Sequence, residues 1–196
     1  ALCKIIERLI TSRLTYYLES NNIVNRYQSA YRKNRCTLDH LIRLHDQINR
    51  NINNKSSTVA IFFDFSKAFD MLWREGLMHK LTKNGISGRI RNWIHDFLIN
   101  RKFRVKVNNT LSEQYVLENG TPQGSVISPI LFLLMMNDFP TTEPNTETSL
   151  FADDSAIWRS GRNLENIQQQ LQKDVDKIGS WCNTFGFKLN EKKSIA

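Results

Sequence analysis

The sequence has little cysteine and no long hydrophobic run. Its three cysteines, Cys3, Cys36 and Cys182, lie far apart, which excludes zinc-ligand spacing and gives no evident disulfide framework. The longest apolar run, residues 126–136, is too short to cross a bilayer and predicts a buried helix. A signal-peptide pattern is also missing, as are internal repeats and low-complexity tracts. These absences favour an intracellular protein with reduced thiols and no membrane partner.

Acidic residues are outnumbered by basic ones. The 27 Lys and Arg stand against 19 Asp and Glu, which gives a formal net charge of +8. A basic excess suits a polyanionic partner such as nucleic acid, although a generally basic protein without such a partner fits equally well. Hydrophobic residues make up 40% of the 196 positions, enough for a packed core. Because the chain opens inside a helical pattern without an initial Met, we expect a fragment of a longer protein.

The spacing of apolar residues predicts both helices and strands. Helical spacing appears in five segments: residues 2–17, 38–48, 77–81, 90–97 and 164–181. Thr37 is the expected N-cap of the second helix. Strand patterns cover residues 59–63, 103–107, 115–117 and the flanks of the acidic pair at 153–154. The irregular alternation of strands and helices predicts an α+β fold, with an antiparallel sheet and helices packed on one face.

Three carboxylates stand at the ends of predicted strands. Asp64 follows the apolar run 59–63, and Asp153 with Asp154 occupies the tip of a predicted hairpin. Removing a carboxylate from water costs several kcal/mol unless the charge is compensated, and bound magnesium compensates it well. Two such ions about 4 Å apart can activate a 3′-hydroxyl and stabilise a leaving pyrophosphate. Each signal alone is weak, since an Asp-Asp pair is usually an ordinary turn.

The order and spacing of the motifs are more informative than any one of them. The acidic strand end is followed by the glycine-containing loop 120–124, an apolar helix and the acidic hairpin. With further segments on either side, these motifs resemble those of reverse transcriptases. Their variants are closer to non-LTR (LINE-like, jockey-like) retrotransposons than to retroviruses. The matching segments are residues 28–33 with Thr37, 64–70, 120–125 with 128–129, 151–154, and 186–190 with 193–194.

The resemblance implies an RNA-directed DNA polymerase with fingers and palm. Residues from 1 to about 57 would form the fingers-like part, and the palm would follow from about residue 58, in a single region 1–196 without a thumb. The implied partners are an RNA template, a DNA primer and deoxynucleoside triphosphates. Two Mg²⁺ ions, or Mn²⁺ in their place, are the implied cofactors, and nucleus and cytoplasm are the implied locations.

The resemblance also assigns catalytic roles. Asp64 and Asp153 match the two metal-bridging aspartates, and Asp154 matches their less essential neighbour at the metal site. Lys193 matches a proton donor to the pyrophosphate. Flexible basic residues are usually solvated, so an ordinary surface lysine is the alternative for Lys193.

A second set of residues is expected beside the incoming nucleotide. Phe69 matches the aromatic under the sugar, where its ring would exclude a ribose hydroxyl; the alternative is a core aromatic that anchors its loop. Gln123 and Gly124 match residues beside the nucleotide, and Arg32 matches a triphosphate contact from the fingers. The backbone expected to face the triphosphate belongs to Phe65, Ser66, Lys67 and Ala68.

Two departures from the family pattern stand out. Asn34 and Cys36 replace the usual Gly and Ser of the fingers loop, and the chain stops just after Lys193-Ser194, before the expected primer grip and thumb. Two other functions stay open. One is a group II intron or retron-type reverse transcriptase. The other is a nucleic-acid-binding remnant of a transposable element that has lost catalysis, against which the intact aspartates argue.

Overall fold

Helices and strands alternate irregularly in the part of the chain that the computed structural model describes, residues 2–140 and 142–196. The helices are α1 (Leu2–Ser20), α2 (Thr37–Asn53), α3 (Ala68–Met71), α4 (Arg74–Lys83), α5 (Gly88–Leu98), α6 (Ser128–Met136) and α7 (Leu164–Phe185). The strands are β1 (Ser57–Phe63), β2 (Lys102–Phe103), β3 (Lys106–Val107), β4 (Thr110–Leu111), β5 (Tyr115–Val116), β6 (Thr146–Phe151) and β7 (Asp154–Gly161). Each segment with helical spacing therefore contains a helix.

The main sheet contains β1, β7 and β6 in that order, and both pairings are antiparallel. β7 lies in the centre, with Phe63 of β1 opposite Ser155 and Phe151 of β6 opposite Asp154. The shorter strands form two antiparallel pairs, β2 with β5 and β3 with β4, within the predicted strand patterns at 103–107 and 115–117 and the residues between them. The predicted α+β class and antiparallel sheet are confirmed.

Helix α6 lies in the hydrophobic core. Its sequence offers no polar face, and every side chain from 130 to 136 is buried. Phe63, Leu150 and Ile157 of the main sheet join the same core cluster, together with residues of α4 and α7. The prediction of a buried helix in this apolar run is confirmed.

Helix α2 covers the other face of the main sheet with polar side chains. His40 Nδ1 lies 2.7 Å from Ser149 Oγ, and the Arg43 guanidinium lies 5.5 Å from the centre of the Trp158 ring. Ser149 and Trp158 lie next to the core residues Leu150 and Ile157 along their strands. Because successive strand residues point to opposite faces, Ser149 and Trp158 belong to the face away from the core. The prediction of helices on one face is therefore incomplete, because α2 packs on the second face.

Several apolar residues of α2 are exposed to solvent. Leu38, Leu41 and Ile42 are each more than half exposed, with Leu41 at 62%. The helix begins at Thr37, and Cys36 is its N-cap, because the Asp39 carboxylate accepts a hydrogen bond from the Cys36 N–H at 2.9 Å. The prediction of Thr37 as the cap is wrong by one residue, since the acidic side chain at the third helical position closes the first turn.

The three cysteines are free thiols, as predicted. Cys3 and Cys36 are exposed and Cys182 is buried. Burial raises the pKa of the Cys182 thiol to about 12, so this thiol stays protonated at neutral pH. Among the described helices, none has the length and apolar character needed to span a membrane.

Lys80 is a buried cation that joins three helices. Its side chain on α4 is almost inaccessible, and Nζ donates to the Met135 carbonyl of α6 and to the Asp138 carboxylate. The same ammonium lies 3.5 Å from the centre of the Phe185 ring of α7. Burial lowers the pKa of Lys80 to about 8, and the hydrogen bond to Asp138 opposes part of that shift.

We predict that the contribution of Lys80 to stability rises with pH between about 8 and 10.5. Its folded pKa lies below the unfolded value, so the unfolded chain binds more protons in this window and folding gains as pH rises. Urea unfolding of wild type and Lys80→Met should show a difference that shifts in favour of wild type by up to about 3 kcal/mol from pH 7 to pH 10. Lys83→Met, one turn away on the exposed side, is the control. A difference that stays constant with pH would contradict the prediction.

Candidate functional site

Three carboxylates meet at one end of the main sheet. Phe63 pairs with Ser155, so one further step of the register sets Asp64, just beyond β1, opposite Asp154 at the start of β7. Asp153 lies in the turn before Asp154. Burial raises the pKa of Asp153, and the nearby charges of Asp154 and Asp64 raise it further, against hydrogen bonding that lowers it. The three acids are therefore close enough to repel one another.

The turn that carries Asp153 contains two residues. Phe151 and Asp154 pair across it, and Ala152 has a φ of +55°, a left-handed conformation that is uncommon for a residue with a Cβ. Tight hairpins require such a positive φ because their twist must match that of the strands. The chain meets this requirement with alanine, so the turn needs support from elsewhere.

The residues after Asp64 run beside the C-terminal segment. The Ser66 N–H donates to the Lys188 carbonyl at 2.8 Å, and the Asn190 N–H donates to the Asp64 carbonyl at 2.8 Å. Lys67 then turns with a φ of +50° into the short helix α3. The two segments that match family motifs at 64–70 and 186–194 are thus neighbours along the outer side of β1.

Phe69 extends from α3 onto the core helix. Its ring stacks on Phe132 of α6, with 4.2 Å between the ring centres and an angle of 19° between the planes. The residue is only partly buried. The stacking supports the role of an anchor for Phe69, and its contact with a sugar stays a prediction.

The glycine-containing loop packs closely on α3. Gly120 has a φ of +80°, and a Cβ there would lie 2.6 Å from the Asp70 carbonyl oxygen, so no other residue fits without movement. Gln123 donates to the Asp70 carboxylate at 3.0 Å. Gln123 and Gly124 are both exposed, and open space surrounds Gly124. The loop consequently presents these two residues to solvent beside α3.

Glu7 is a buried acid of this site that the sequence analysis missed. Its carboxylate accepts hydrogen bonds from the Ser125 hydroxyl and the Val126 N–H, both at 2.7 Å. It thereby ties α1 to the end of the glycine-containing loop. A signal was present, because Glu7 shares its helical stripe with the buried Leu14 and Leu18.

Comparison with known proteins identifies the family. All of the chain, residues 1–196, matches the family described as reverse transcriptase (RNA-dependent DNA polymerase). This chain belongs to the reverse transcriptase family. The probable RNA-directed DNA polymerase from transposon BS of Drosophila melanogaster is 29% identical to it over 205 residues. The RNA-directed DNA polymerase from mobile element jockey of the same organism is 29% identical over 200 residues.

These alignments cover almost all of this chain but only a small part of each relative. The alignments cover 100% and 98% of this chain, but only 22% of each relative, so the chain spans about a fifth of their length. Among solved structures, telomerases from Candida tropicalis (apo form) and Candida albicans are similar, with TM-scores of 0.70 and 0.67 and 13% identity over 98% of this chain. The alignments cover 36% of the Candida tropicalis chain and 35% of the Candida albicans chain. The predicted reverse transcriptase fold and jockey-like kinship are confirmed.

The acidic end of this reverse transcriptase sheet has the donor chemistry of a magnesium site. Carboxylate oxygens are the ligands that Mg²⁺ prefers, and a divalent cation would relieve the repulsion that raises the pKa of Asp153. Within residues 2–140 and 142–196, no group of three His, Cys, Asp or Glu side chains is placed so that it could hold a metal ion. A magnesium site at this sheet end would therefore need ligands besides these carboxylates, and Mg²⁺ usually takes water and substrate phosphates into its shell.

Arg32 and Lys193 have different surroundings. Arg32 makes two hydrogen bonds to the Glu19 carboxylate, both at 2.7 Å, and its side chain is 12% exposed. It also donates to the carbonyls of Asn25 and Gln28, and its hydrogen bond lowers the pKa of Glu19. Lys193 is exposed. The Arg32 guanidinium is therefore engaged inside the fingers loop, whereas Lys193 is accessible to a ligand.

We predict that Arg32 stabilises the fingers loop. Arg32→Ala should lower the free energy of unfolding by about 2 kcal/mol or more, because hydrogen bonds to charged groups are among the stronger ones. Lys33→Ala, an exposed neighbour, should change it by less than about 0.5 kcal/mol. Chemical denaturation of both variants measures this. If Arg32 acts only on the triphosphate, its alanine variant will instead be as stable as wild type and will raise KM for the nucleotide.

Proposed function

We propose that this chain forms the polymerase region of a jockey-like non-LTR retrotransposon enzyme, which copies RNA into DNA. The reaction joins the primer 3′-oxygen to the α-phosphorus of a deoxynucleoside triphosphate and releases pyrophosphate. The observation that carries the proposal is the meeting of Asp64 with Asp153 and Asp154 at one sheet end, in a chain of the reverse transcriptase family. The sequence order of the motifs supports it independently.

In this proposal the chain's own groups bind and orient the reactants. Asp64 and Asp153, with Asp154 beside them, would hold two Mg²⁺ ions, or Mn²⁺ in their place. Such ions would supply the positive charge that favours ionisation of the 3′-hydroxyl and departure of the pyrophosphate. The backbone that follows Asp64 faces the triphosphate, beside Gln123 and Gly124. Lys193 protonates the pyrophosphate. Its exposure leaves room for that role, and Arg32 would first have to leave Glu19 to reach a triphosphate.

The partners proposed are an RNA template, a DNA primer and deoxynucleotides. The net charge of +8 supports binding of polyanions. The part up to about residue 57 would act as fingers and the rest as palm, a division supported by the start of the main sheet at Ser57. Because retrotransposition couples cytoplasmic RNA to chromosomal DNA, we propose that the protein occupies both cytoplasm and nucleus.

We predict that Asp64→Asn and Asp153→Asn each abolish primer extension on an RNA template. Each removes a metal-binding charge, and metal ions contribute several kcal/mol to such reactions, so the rate should fall by more than about a hundredfold. Asp96→Asn, on an exposed acid of α5, is the matched control and should extend normally. The assay uses the full-length natural polypeptide. Inactivity of the wild type would favour a nucleic-acid-binding remnant.

We predict that Phe69→Val relaxes sugar selection. A smaller side chain leaves room for the 2′-hydroxyl, and removing an overpacking cost of about 1–3 kcal/mol should raise ribonucleotide use by roughly ten- to a hundredfold relative to deoxynucleotide. Incorporation efficiencies for matched nucleotides measure the ratio. Phe132→Leu removes the same stacked pair from its other side and should lower stability without changing the ratio. An unchanged ratio in Phe69→Val would leave Phe69 as an anchor alone.

A further inference from the structure

Gln28 is a buried amide that contacts the turn carrying Asp153. The residue is 1% exposed, although it belongs to an irregular loop between α1 and α2. Its Oε1 accepts from the Ala152 N–H at 2.9 Å and from the Ala30 N–H at 3.0 Å. Its Nε2 donates to the Ala152 carbonyl at 3.4 Å. Because two backbone N–H groups need an acceptor at the same place, the amide oxygen must occupy that position and the amide nitrogen must face the Ala152 carbonyl.

These contacts fall on the one residue of the turn with a left-handed backbone. Gln28 binds both the N–H and the carbonyl of Ala152, whose φ is +55°. An alanine adopts this conformation at a free-energy cost that glycine does not have, so other groups must stabilise the turn. The Gln28 side chain can do so, because it bonds both backbone groups of the strained residue. Asp153 follows directly and is oriented by the same turn.

The loop that presents Gln28 is itself attached to the hairpin and to α1. The Ser29 N–H donates to the Leu150 carbonyl at 3.0 Å, and the Leu150 N–H donates to the Tyr27 carbonyl at 3.1 Å. Arg32 then joins the loop to Glu19 of α1. The loop therefore runs beside β6 up to the turn, and the Gln28 backbone cannot move away from the turn without breaking these bonds.

We propose that Gln28 is a positioning residue for Asp153: it holds Ala152 in its left-handed conformation and so sets where the metal-binding carboxylate points. The inference rests on the proposed polymerase function. Part of the loop between α1 and α2 would thus support the catalytic hairpin. Loss of the amide would leave the Ala152 and Ala30 N–H groups without their acceptor. A displaced Asp153 would bind metal ions less well and slow the chemical step, while the primer-template contacts stay intact.

The test compares Gln28, an amide of the loop between α1 and α2, with Asn137, an amide at the end of α6 that binds the same loop. Gln28→Met keeps a similar length without hydrogen-bonding groups. Asn137→Leu is the matched control, because Asn137 accepts from the Asn25 N–H and donates to the Ile23 carbonyl, away from the turn. Both variants, in the polypeptide that carries this chain, are assayed for thermal stability, for kcat and KM on RNA template with DNA primer, and for the Mg²⁺ concentration at half-maximal rate.

Gln28→Met should lower kcat about ten- to a hundredfold, because a catalytic group displaced by about 1 Å can cost a hundredfold. It should also raise the half-maximal Mg²⁺ concentration and leave KM for primer-template unchanged. Asn137→Leu should lose stability without either change. Equal kcat and equal Mg²⁺ dependence in the two variants would overturn the inference. If Gln28→Met does not fold, Gln28→Asn, whose amide is one methylene too short to reach Ala152, takes its place in the same comparison.

Hydrogen exchange separates this inference from the proposed function. Amide exchange of residues 150–155 should become faster in Gln28→Met and stay unchanged in Asn137→Leu, whether or not the protein polymerises. An inactive wild type with this exchange pattern would reject the polymerase proposal and keep the structural role of Gln28. An active wild type with unchanged exchange and kcat in Gln28→Met would reject the positioning role alone.

Discussion

The carboxylates of Asp64, Asp153 and Asp154 repel one another at a half-buried sheet end, where burial also raises the pKa of Asp153. Repulsion of this kind would separate the groups if their backbones were free to move. The antiparallel register of β1 with β7 and the two-residue turn before β7 prevent that separation. The rest of the structure can be understood as the framework that keeps these strand ends together.

Much of that framework consists of polar side chains that join distant segments. Glu7, Gln28 and Lys80 are buried, and Asn137 is half-buried. Glu7 binds the end of the glycine-containing loop, Gln28 binds the turn beside Asp153, Asn137 binds the loop between α1 and α2, and Lys80 joins α4 to α6. Each of these hydrogen bonds links groups at least 55 residues apart in sequence. A buried polar group is costly unless its hydrogen bonds are satisfied, so each of these side chains favours one arrangement of the backbones it joins.

The core helix α6 connects this framework to α3, the short helix that follows Asp64. Because α6 is apolar on every face, it is surrounded by other elements, and Phe69 of α3 reaches it by stacking on Phe132. Phe69 is only partly buried, although its ring packs on this core helix. Packing on the core and the proposed contact with a sugar are therefore compatible.

The sequence by itself determined the family, the elements and the candidate acids. Helical and strand spacing depends on neighbours within a few residues, and the order of the motifs is a property of the linear sequence. Both can therefore be recognised without a structure. Tertiary structure alone decided that α2 turns its polar side to the sheet, that Arg32 pairs with Glu19, and that Gln28 supports the turn at Ala152. These contacts join segments far apart in the chain, and hydrogen bonding and burial at such contacts depend on which distant groups the fold brings together.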